Sequence, residues 1–526
     1  MYLFLTGVLN GIVTGLVYST EQLWWCIFFC MVPFVGILLS GRRTLAFMMG
    51  YGMGYHVTGL AFLFQLAGML PLPPYTAHVL MAAGVFLAGL VLSMVFVLVF
   101  YPFLRRRRRS GTDIFLVAGL YILAEWLQGM LPLFAFPWFR LATVVAERPL
   151  LLQGASLLGT LFVDFLIVLW NGFLAGLIGS RRVGAASWTA LVLIAGVLMY
   201  GEVRLYEGEE SGSSVASIPG TEVQEQQDSL HRVMLVQGNH EGRKKWKMEI
   251  RDIVSDYMAE LNEEIEEGIS LVVLPETALP YAIRQDEETE NLLVQFCRRH
   301  HTEMLTGAIE KGAERESYNA VCHVTSEGIG RLSYRKQILV PFGEYLPFAA
   351  AAEKLCPWLM EFMTGNVFEA GTETVIFDTR AGKAGTLVCF ESLFPEAAGR
   401  TVKAGAQLLV IVSNDAWFEG TSAMRKHHAH AVLRAVETDR WVLRAANTGI
   451  SSVIDNRGRI QAVLRENTRG VLKGEADCRT GRTFYNRIGD VLPAGFLVWD
   501  GILLFSCFFA IIKRWNHNMI KMRRSW

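Results

Sequence analysis

Cys389 closes a short apolar run, Gly385-Thr-Leu-Val-Cys389, and Phe390-Glu391-Ser392 follow it. Two other segments of the same polar stretch carry side chains a reactive thiol needs, Leu274-Pro-Glu276 and Tyr334-Arg-Lys336. A cysteine attacks as its thiolate, so an unperturbed thiol, pKa about 8.5, must meet a base, a cation or a helix N-terminus. Glu276 is a candidate base, able to take the thiol proton and later the proton of an attacking amine. Lys336 is a candidate donor to the oxyanion of a tetrahedral intermediate, a role typically worth roughly 3–4 kcal/mol. Phe394–Lys403 reads as a helix with Pro395 and Glu396 in its first turn, which would set the sulfur near a helix N-terminus. Singly, Cys389 reads as a buried small hydrophobe, and Glu276 and Lys336 as solvated charges. Together, in these contexts, they read as an acyl-transfer site.

Something must bring the three together. Val233–Gln237, Ser270–Leu274, Gly385–Cys389 and Gln407–Ser413 are short continuous apolar runs bounded by polar residues. Such runs suggest strands covered on both faces. Amphipathic stretches separate most of them; in Trp246–Glu266, Met248, Ile253, Met258, Leu261 and Ile265 recur at helical spacing. Alternating strands and helices predict an α/β fold. Each run ends in polar or reactive residues: Gln237-Gly238-Asn239, Pro275-Glu276, Cys389-Phe390-Glu391 and Asn414-Asp415. Ligand sites in α/β sheets lie beyond the carboxyl ends of strands, so four tips converge if the strands are neighbours.

The rest of the chain is of another kind. Of 526 residues, 52% are hydrophobic and 19% charged, with formal net charge zero, so no basic excess argues for nucleic acid. The apolar excess lies at 1–203 and 491–512. Eight stretches reach the length a membrane span needs: roughly 2–19, 22–40, 44–69, 77–104, 113–131, 151–179, 186–203 and 491–512. Arg42-Arg43, Arg105 to Arg109, Arg181-Arg182 and the basic tail after 512 follow the even-numbered spans. Basic loops stay cytoplasmic, so the polar block between spans seven and eight faces the other side. The expected division is a membrane domain 1–203, a linker 204–229, a catalytic domain 230–490, and a final helix with cytoplasmic tail 491–526. Within the spans, His56, Glu125 and Asp164 read equally as functional groups or as polar contacts packed between helices. Gly50-x-x-x-Gly54 suits close helix packing.

The polar block holds Cys297, Cys322, Cys356, Cys389 and Cys478, an odd number, with no C-x-x-C pair. An exoplasmic location permits disulfides. His427, His428 and His430 read as exposed helix residues rather than metal ligands, because no carboxylate or cysteine joins them at suitable spacing. No metal or cofactor is expected.

Leu274-Pro-Glu276, Tyr334-Arg-Lys336 and Val388-Cys-Phe-Glu391 resemble the Glu-Lys-Cys segments of the nitrilase superfamily, as does Ser413-Asn-Asp-Ala-Trp-Phe418. On a multispan anchor with a closing helix they resemble the bacterial apolipoprotein N-acyltransferase family. Val236-Gln-Gly-Asn239 with Trp246, Val340-Pro-Phe-Gly-Glu-Tyr-Leu-Pro347, Arg434 through Glu437, Asn447-Thr-Gly449 and Phe136-Pro-Trp138 also fit. The resemblance implies a multispan α-helical membrane domain plus a nitrilase-like α-β-β-α sandwich outside the cytoplasm. It implies acyl transfer from a phospholipid donor to the α-amino group of a diacylated lipoprotein at the bacterial inner membrane, through a Cys389 thioester. Glu276 is then the base, Lys336 the oxyanion donor, and Trp246, Glu344, Tyr345, Phe390, Glu391 and Asn414 contacts around the substrate. Phe390 stands where the family often has tyrosine, which removes a hydroxyl there. Ala349–Phe368, rich in apolar residues, reads either as a lid or as a core helix. The rival function is a membrane-tethered amidase using the same three residues with water as acceptor. A scaffold or transporter with an inert block fits the intact residues less well.

Overall fold

The computed structural model describes residues 1–41, 44–70, 72–106, 109–131, 135–180, 184–210, 230–240, 248–313, 316–349, 354, 367–503 and 505. The N-terminal part is helical: α1 (Tyr2–Ser19), α2 (Val32–Leu39), α3 (Leu45–Gly59), α4 (Pro74–Arg105), α5 (Asp113–Gln128), the short α6 (Pro149–Leu152) and α7 (Ala155–Leu158), α8 (Thr160–Ser180) and α9 (Ala185–Glu210). Among the described residues, five helical stretches are long and apolar enough to cross a membrane: Tyr2–Ser19, Glu21–Leu39, Pro74–Arg105, Thr160–Gly179 and Ala185–Glu207. Two of the expected spans are interrupted. The stretch 44–69 is α3 followed by a 3-10 segment, Ala61–Met69, and 151–179 divides between α7 and α8 at Gly159, whose φ is +84°.

Small residues decide how tightly the first helices pack. A Cβ on Gly7 or Gly11 would collide with the carbonyls of Phe47 or Tyr51, and one on Gly50 or Gly54 with those of Phe4 or Val8. So α1 and α3 cross backbone to backbone. The buried ionisable residues are packed polar contacts: His56 lies 3.3 Å from Ser93 Oγ and 3.1 Å from Gln128 Nε2, and Asp164 accepts the Ala142 N–H at 2.6 Å. Glu125 faces Arg140 at 3.8 Å.

The polar part is a sandwich of two six-stranded mixed sheets. The first has the order β12-β1-β2-β3-β4-β5: β12 (Gly470–Ala476), β1 (His231–Gln237), β2 (Ile269–Val273), β3 (Glu303–Lys311), β4 (Ser317–Val324) and β5 (Ile329–Arg335). The second has the order β11-β10-β9-β8-β7-β6: β11 (Ile460–Leu464), β10 (Ser451–Ile454), β9 (Val442–Ala446), β8 (Leu408–Ser413), β7 (Gly382–Val388) and β6 (Ile376–Thr379). Each sheet keeps a parallel centre, β1-β2-β3 and β7-β8-β9, and antiparallel flanks. The four expected strands are therefore neighbours in pairs, and the pairs face each other across the sandwich. Val233, Leu235, Leu271 and Val273 meet Val388, Val410, Val412 and Leu443 there, all buried.

Helices cover both outer faces. On the first sheet lie α10 (Ile250–Glu264) and α11 (Glu287–His300), with Ile253, Tyr257, Leu261 and Phe296 in one apolar cluster with Met234 and Val272. On the second lie α12 (Pro395–Lys403) and α13 (Ala423–Thr438). Val432 and Val436 of α13 share a cluster with Leu409 and Ile411 and with residues of the membrane helices. So α13 sits between the sandwich and the helical part, and three of its polar residues, His430, Arg434 and Glu437, are fully buried. Buried charge must be paired. Arg434 and Glu437 pair at 2.9 Å, and Glu437 also accepts the Thr160 backbone N–H at 2.7 Å, across the junction. The short helix α14 (Phe484–Ile488) and the apolar helix Val491–Leu503 lead back toward the membrane part.

Candidate active site

Glu276 follows β2 through Leu274-Pro275. Its backbone lies against Gly307 of β3, where any Cβ would come within 2.7 Å of the Glu276 Cα. Thr277 then turns the chain with φ +47°. Lys336 follows β5, its N–H donating to Asn319 O at 2.8 Å. Its ammonium lies 3.2 Å from Glu276 Oε1 and 2.9 Å from Glu344. Asn319 on β4 donates from its amide nitrogen to both carboxylates at 2.8 Å. Glu344 is fixed in turn by Val340 N–H at 2.9 Å, and Glu276 by Asn414 N–H at 2.7 Å. The first sheet thus supplies the carboxylates and the ammonium, and the tip of β8 in the second sheet grips Glu276.

Cys389 is the first residue after β7 and has φ +52°. That conformation costs a non-glycine residue about 1–3 kcal/mol and persists only when its surroundings enforce it. They do so from both sides. Glu391 accepts Val388 N–H at 2.7 Å, and the Cys389 carbonyl accepts Ser392 Oγ–H at 2.8 Å and lies 3.0 Å from His427 Nε2. The expected helix Phe394–Lys403 is present as α12 (Pro395–Lys403), with Pro395 and Glu396 in its first turn, and a 3-10 turn, Cys389–Leu393, lies between it and the sulfur. Asn239 (φ +51°) and Phe342 (φ +63°) are further left-handed residues in the loops beside the site.

Burial pushes the Cys389 thiol above its ordinary value, Glu276 adds to the rise, and Lys336 and a Ser413 hydrogen bond oppose it. A thiol shifted in this direction keeps its proton at neutral pH, so any reaction at the sulfur needs a group to receive that proton. Burial alone would push the Lys336 ammonium down; Glu276 and Glu344 overturn that and hold it above its ordinary value. The site contains the elements of thiol-based acyl transfer: a nucleophile, a carboxylate to receive its proton, and a fixed cation beside it.

The remaining expected contacts divide. Phe390 is buried; its ring stacks on Phe136 of the helical part at 6.1 Å and meets Phe394 edge to face at 5.2 Å, joining the turn to the membrane side. Tyr345 is half-buried beside Glu344. Asn414 grips Glu276 by its backbone, while its side-chain oxygen accepts Asn447 Nδ2 at 3.1 Å. Glu391 is fully buried, with Tyr334 Oη at 2.9 Å from both oxygens and Gln337 N–H at 2.7 Å. It is an anchor between the thiol turn and the segment after Lys336, with no oxygen facing open space. Burial pushes its carboxyl up, and the backbone amides of Val388 and Gln337 pull it back. Trp246 and most of Ala349–Phe368 lie outside the described residues.

The three histidines correct an expectation. His427, His428 and His430 are all buried, because α13 is enclosed along nearly its whole length, with Arg425 its exposed residue. The donor atoms of Cys389, Asp415 and His427 lie within 4.8 Å of one another, so a carboxylate and a cysteine do join His427 in space. Protein hydrogen bonds already occupy them: His427 Nδ1 is 2.7 Å from Asp415 Oδ1, and Arg444 Nη2 is 2.7 Å from Asp415 Oδ2. Asn319, His427 and Arg444 were not among the expected site residues, and Asp415 was expected only as one of the polar strand tips, with no role assigned. Arg444 carried a signal, a lone cation inside the apolar run of β9. Asn319 carried none. Among the described residues, Cys26, Cys30, Cys297, Cys322, Cys389 and Cys478 are free thiols.

Two packed mixed sheets with a thiol, a carboxylate and an ammonium at their strand ends, joined to apolar helices, define a membrane-bound protein of the carbon–nitrogen hydrolase class. The carbon-nitrogen hydrolase family profile matches residues 232–485, and the apolipoprotein N-acyltransferase N-terminal domain profile matches 10–173. Curated relatives match nearly end to end. The apolipoprotein N-acyltransferase of Geobacter metallireducens is 31% identical over 93% of this chain and 92% of its own. That of Shewanella oneidensis is 27% identical over 91% and 90%, and that of Gloeobacter violaceus 28% over 92% and 90%. The chain belongs to the apolipoprotein N-acyltransferase family. It is an amide-forming acyltransferase of lipoproteins and a membrane protein, and the family implies a lipoprotein substrate and an acyl donor.

Proposed function

We propose that the donor is a phospholipid, the acceptor is the α-amine of a diacylglyceryl-cysteine at a lipoprotein N-terminus, and a Cys389 thioester connects two half-reactions. In the first, the sulfur attacks a fatty acyl ester and Glu276 takes the thiol proton. Lys336 stabilises the oxyanion, the ester C–O bond breaks, and Glu276 returns the proton to the departing lysophospholipid alcohol. In the second, the neutral amine attacks the thioester, Glu276 accepts a proton from it, and the C–S bond breaks. The products are an amide and, with that proton returned, the free thiol. A thioester acylates amines more readily than the original oxygen ester, and excluding water protects it. The observation that carries this reading is the Lys336 ammonium held at 3.2 and 2.9 Å between Glu276 and Glu344, in electrostatic contact with Cys389.

The orientation follows from the basic loops: a multi-pass protein of the bacterial inner membrane, with its sandwich on the periplasmic face and its C-terminus in the cytoplasm. The Phe390–Phe136 stack supports a site next to the membrane surface. Incubating purified protein with phospholipid carrying a labelled acyl chain, then measuring the mass of the Cys389 peptide, tests the chemistry. The acyl adduct is expected in the native protein and absent from Cys389→Ser and Cys389→Ala. An adduct that survives in Cys389→Ala removes the assignment.

A further inference from the structure

Beneath Cys389, opposite Glu276 and Lys336, lies a second set of charges that the triad chemistry does not use. His427, Asp415 and Arg444 are each buried, at 1%, 0% and 0% exposure. Asp415 accepts from Arg444 Nη2 at 2.7 Å and Ser413 Oγ at 2.8 Å. Burial would raise its carboxyl, but Arg444 and His427 hold it far below the ordinary range, so it is a carboxylate and can only accept. His427 Nδ1, 2.7 Å away, must therefore carry a hydrogen. On the other side of the ring, Nε2 is 3.0 Å from the Cys389 carbonyl, which also only accepts, and 3.1 Å from Ser392 Oγ. With the single Ser392 hydroxyl hydrogen directed to that carbonyl at 2.8 Å, Nε2 faces only acceptors and is placed to donate as well. A ring that donates from both nitrogens is an imidazolium.

We propose that His427, held as an imidazolium by Asp415, is a positioning residue that supplies a second cation for the Cys389 thiolate and pins the strained Cys389 peptide. Lys336 serves the sulfur from the first sheet, and His427 from the second. Asp415 alone would repel a thiolate; its ion pairs with His427 and Arg444 leave this set with a positive balance. The other titratable and charged groups around His427 are His428, His430 and Arg434 on its own helix and the Cys389 thiol itself, with Glu276 and Lys336 beyond the sulfur. Burial pushes His428 down to about 3 and holds His430 well below its ordinary value, so both are neutral in the working range and cannot supply this charge.

The inference rests on the reading of Cys389 as nucleophile, but its test does not need acyl transfer. Alkylation of Cys389 by iodoacetamide, followed by mass spectrometry of the full-length protein in detergent across pH 6 to 10, reports the ease of forming the thiolate. In His427→Gln the midpoint should move up by about one pH unit or more, a rate loss of about tenfold below it. Ser392→Ala removes a donor to the same carbonyl but leaves the cation, so its midpoint should stay put. Equal shifts in both variants would reduce His427 to a structural pin, and no shift in His427→Gln would overturn the proposal. Should the His427 variant not fold, 15N-histidine spectra of the native protein at pH 7.5 decide: one ring protonated on both nitrogens is expected, and none would overturn it. If alkylation shifts as expected while native protein forms no thioester from phospholipid, the proposed reaction fails and this inference stands.

Discussion

Replacing Glu391 by glutamine changes one oxygen to an amino group at a point where the hydrogen bonding is fully specified. In the native protein Oε1 accepts Gln337 N–H at 2.7 Å and Ile338 N–H at 3.1 Å, while Oε2 accepts Val388 N–H at 2.7 Å. The Tyr334 hydroxyl reaches both oxygens at 2.9 Å. The backbone amides can only donate, so either orientation of the carboxamide sets its amino group against an N–H. The better orientation keeps the oxygen on Gln337 and Ile338 and turns the amino group toward Val388. One hydrogen bond to a charged acceptor is lost and one buried N–H is stranded, about 2–4 kcal/mol together. The Tyr334 oxygen can accept from the new amino group, which returns about 1 kcal/mol and leaves a net loss of about 1–3 kcal/mol. At roughly 2–4 °C per kcal/mol for a unit of this size, the melting temperature should fall by about 2–12 °C. The freed peptide leads directly into Cys389, and a shift of about 1 Å in the sulfur costs on the order of 10²-fold in rate. Thermal melts in detergent and the rate of Cys389 acylation from labelled phospholipid measure the two effects. An E391Q protein with native melting and native acylation would refute the anchoring argument. One that melts early but acylates normally would separate the anchor from the site.

Other perturbations have equally direct readouts. Gly307→Ala drives a methyl group against the backbone of Pro275-Glu276-Thr277, so acylation should slow by tenfold or more while the fold survives; unchanged acylation would show that Glu276 has room to move. Gly50→Leu forces α3 off the carbonyl of Phe4 in α1, and limited proteolysis should detect a loosened helical part, with native resistance counting against the close crossing. Stability should also fall with acid earlier than carboxylates alone dictate. Burial pushes His428 down to about 3, whereas an unfolded histidine takes up its proton near pH 6.5. Between those values the unfolded chain binds more protons, so stability declines from about pH 6.5 toward 3, by at most about 1.4 kcal/mol per pH unit for this group. Asp415, depressed in the fold, joins only below about pH 4. Denaturation between pH 7 and 4.5 should show a shallower slope in His428→Gln, and an identical slope would mean the ring is not held neutral.

The legible parts of the sequence were those in which one segment carries its own evidence. Gln407–Ser413 reads as a strand because an uninterrupted apolar run needs cover on both faces, and β8 lies at Leu408–Ser413 between β7 and β9. Glu276 and Cys389 were legible because each ends such a run, and Lys336 because Tyr334-Arg-Lys336 resembles the segment that accompanies them in the nitrilase superfamily. What sequence could not supply was pairing across distance. Nothing in Tyr318-Asn-Ala320 indicates that the Asn319 amide will bridge two carboxylates contributed 43 residues before it and 25 after it. The histidines of α13 were misread for the same reason: a helix rich in His, Arg and Lys reads as exposed until two neighbouring layers are known to enclose it. The breaks in the third and sixth spans escaped because hydropathy registers apolar length and not the backbone path.

Charge balance then explains why the site can be so dry. Glu276 and Glu344 as carboxylates with Lys336 as an ammonium sum to one negative charge, with a neutral thiol beside them. A permanent thiolate would make that two, in a place from which water is largely excluded, and burial already resists it. In the proposed reaction, moving the thiol proton to Glu276 leaves the sum unchanged: the carboxylate becomes neutral as the sulfur becomes charged. The same holds when the negative charge passes from sulfur to the carbonyl oxygen of the tetrahedral intermediate, since Lys336 stays between its two carboxylates throughout. Each step shifts charge within a fixed total and needs no compensating ion from solvent. A lysine left with a single carboxylate would start from a total of zero, and its ammonium and the Asn319 amide would each lose a charged acceptor that fixes them. Glu344→Gln should therefore lower the acylation rate although Glu344 transfers no proton, and its effect should persist across pH 6 to 9. A loss that disappeared at high pH would mean that Glu344 acts as a second base and not as part of the fixed charge.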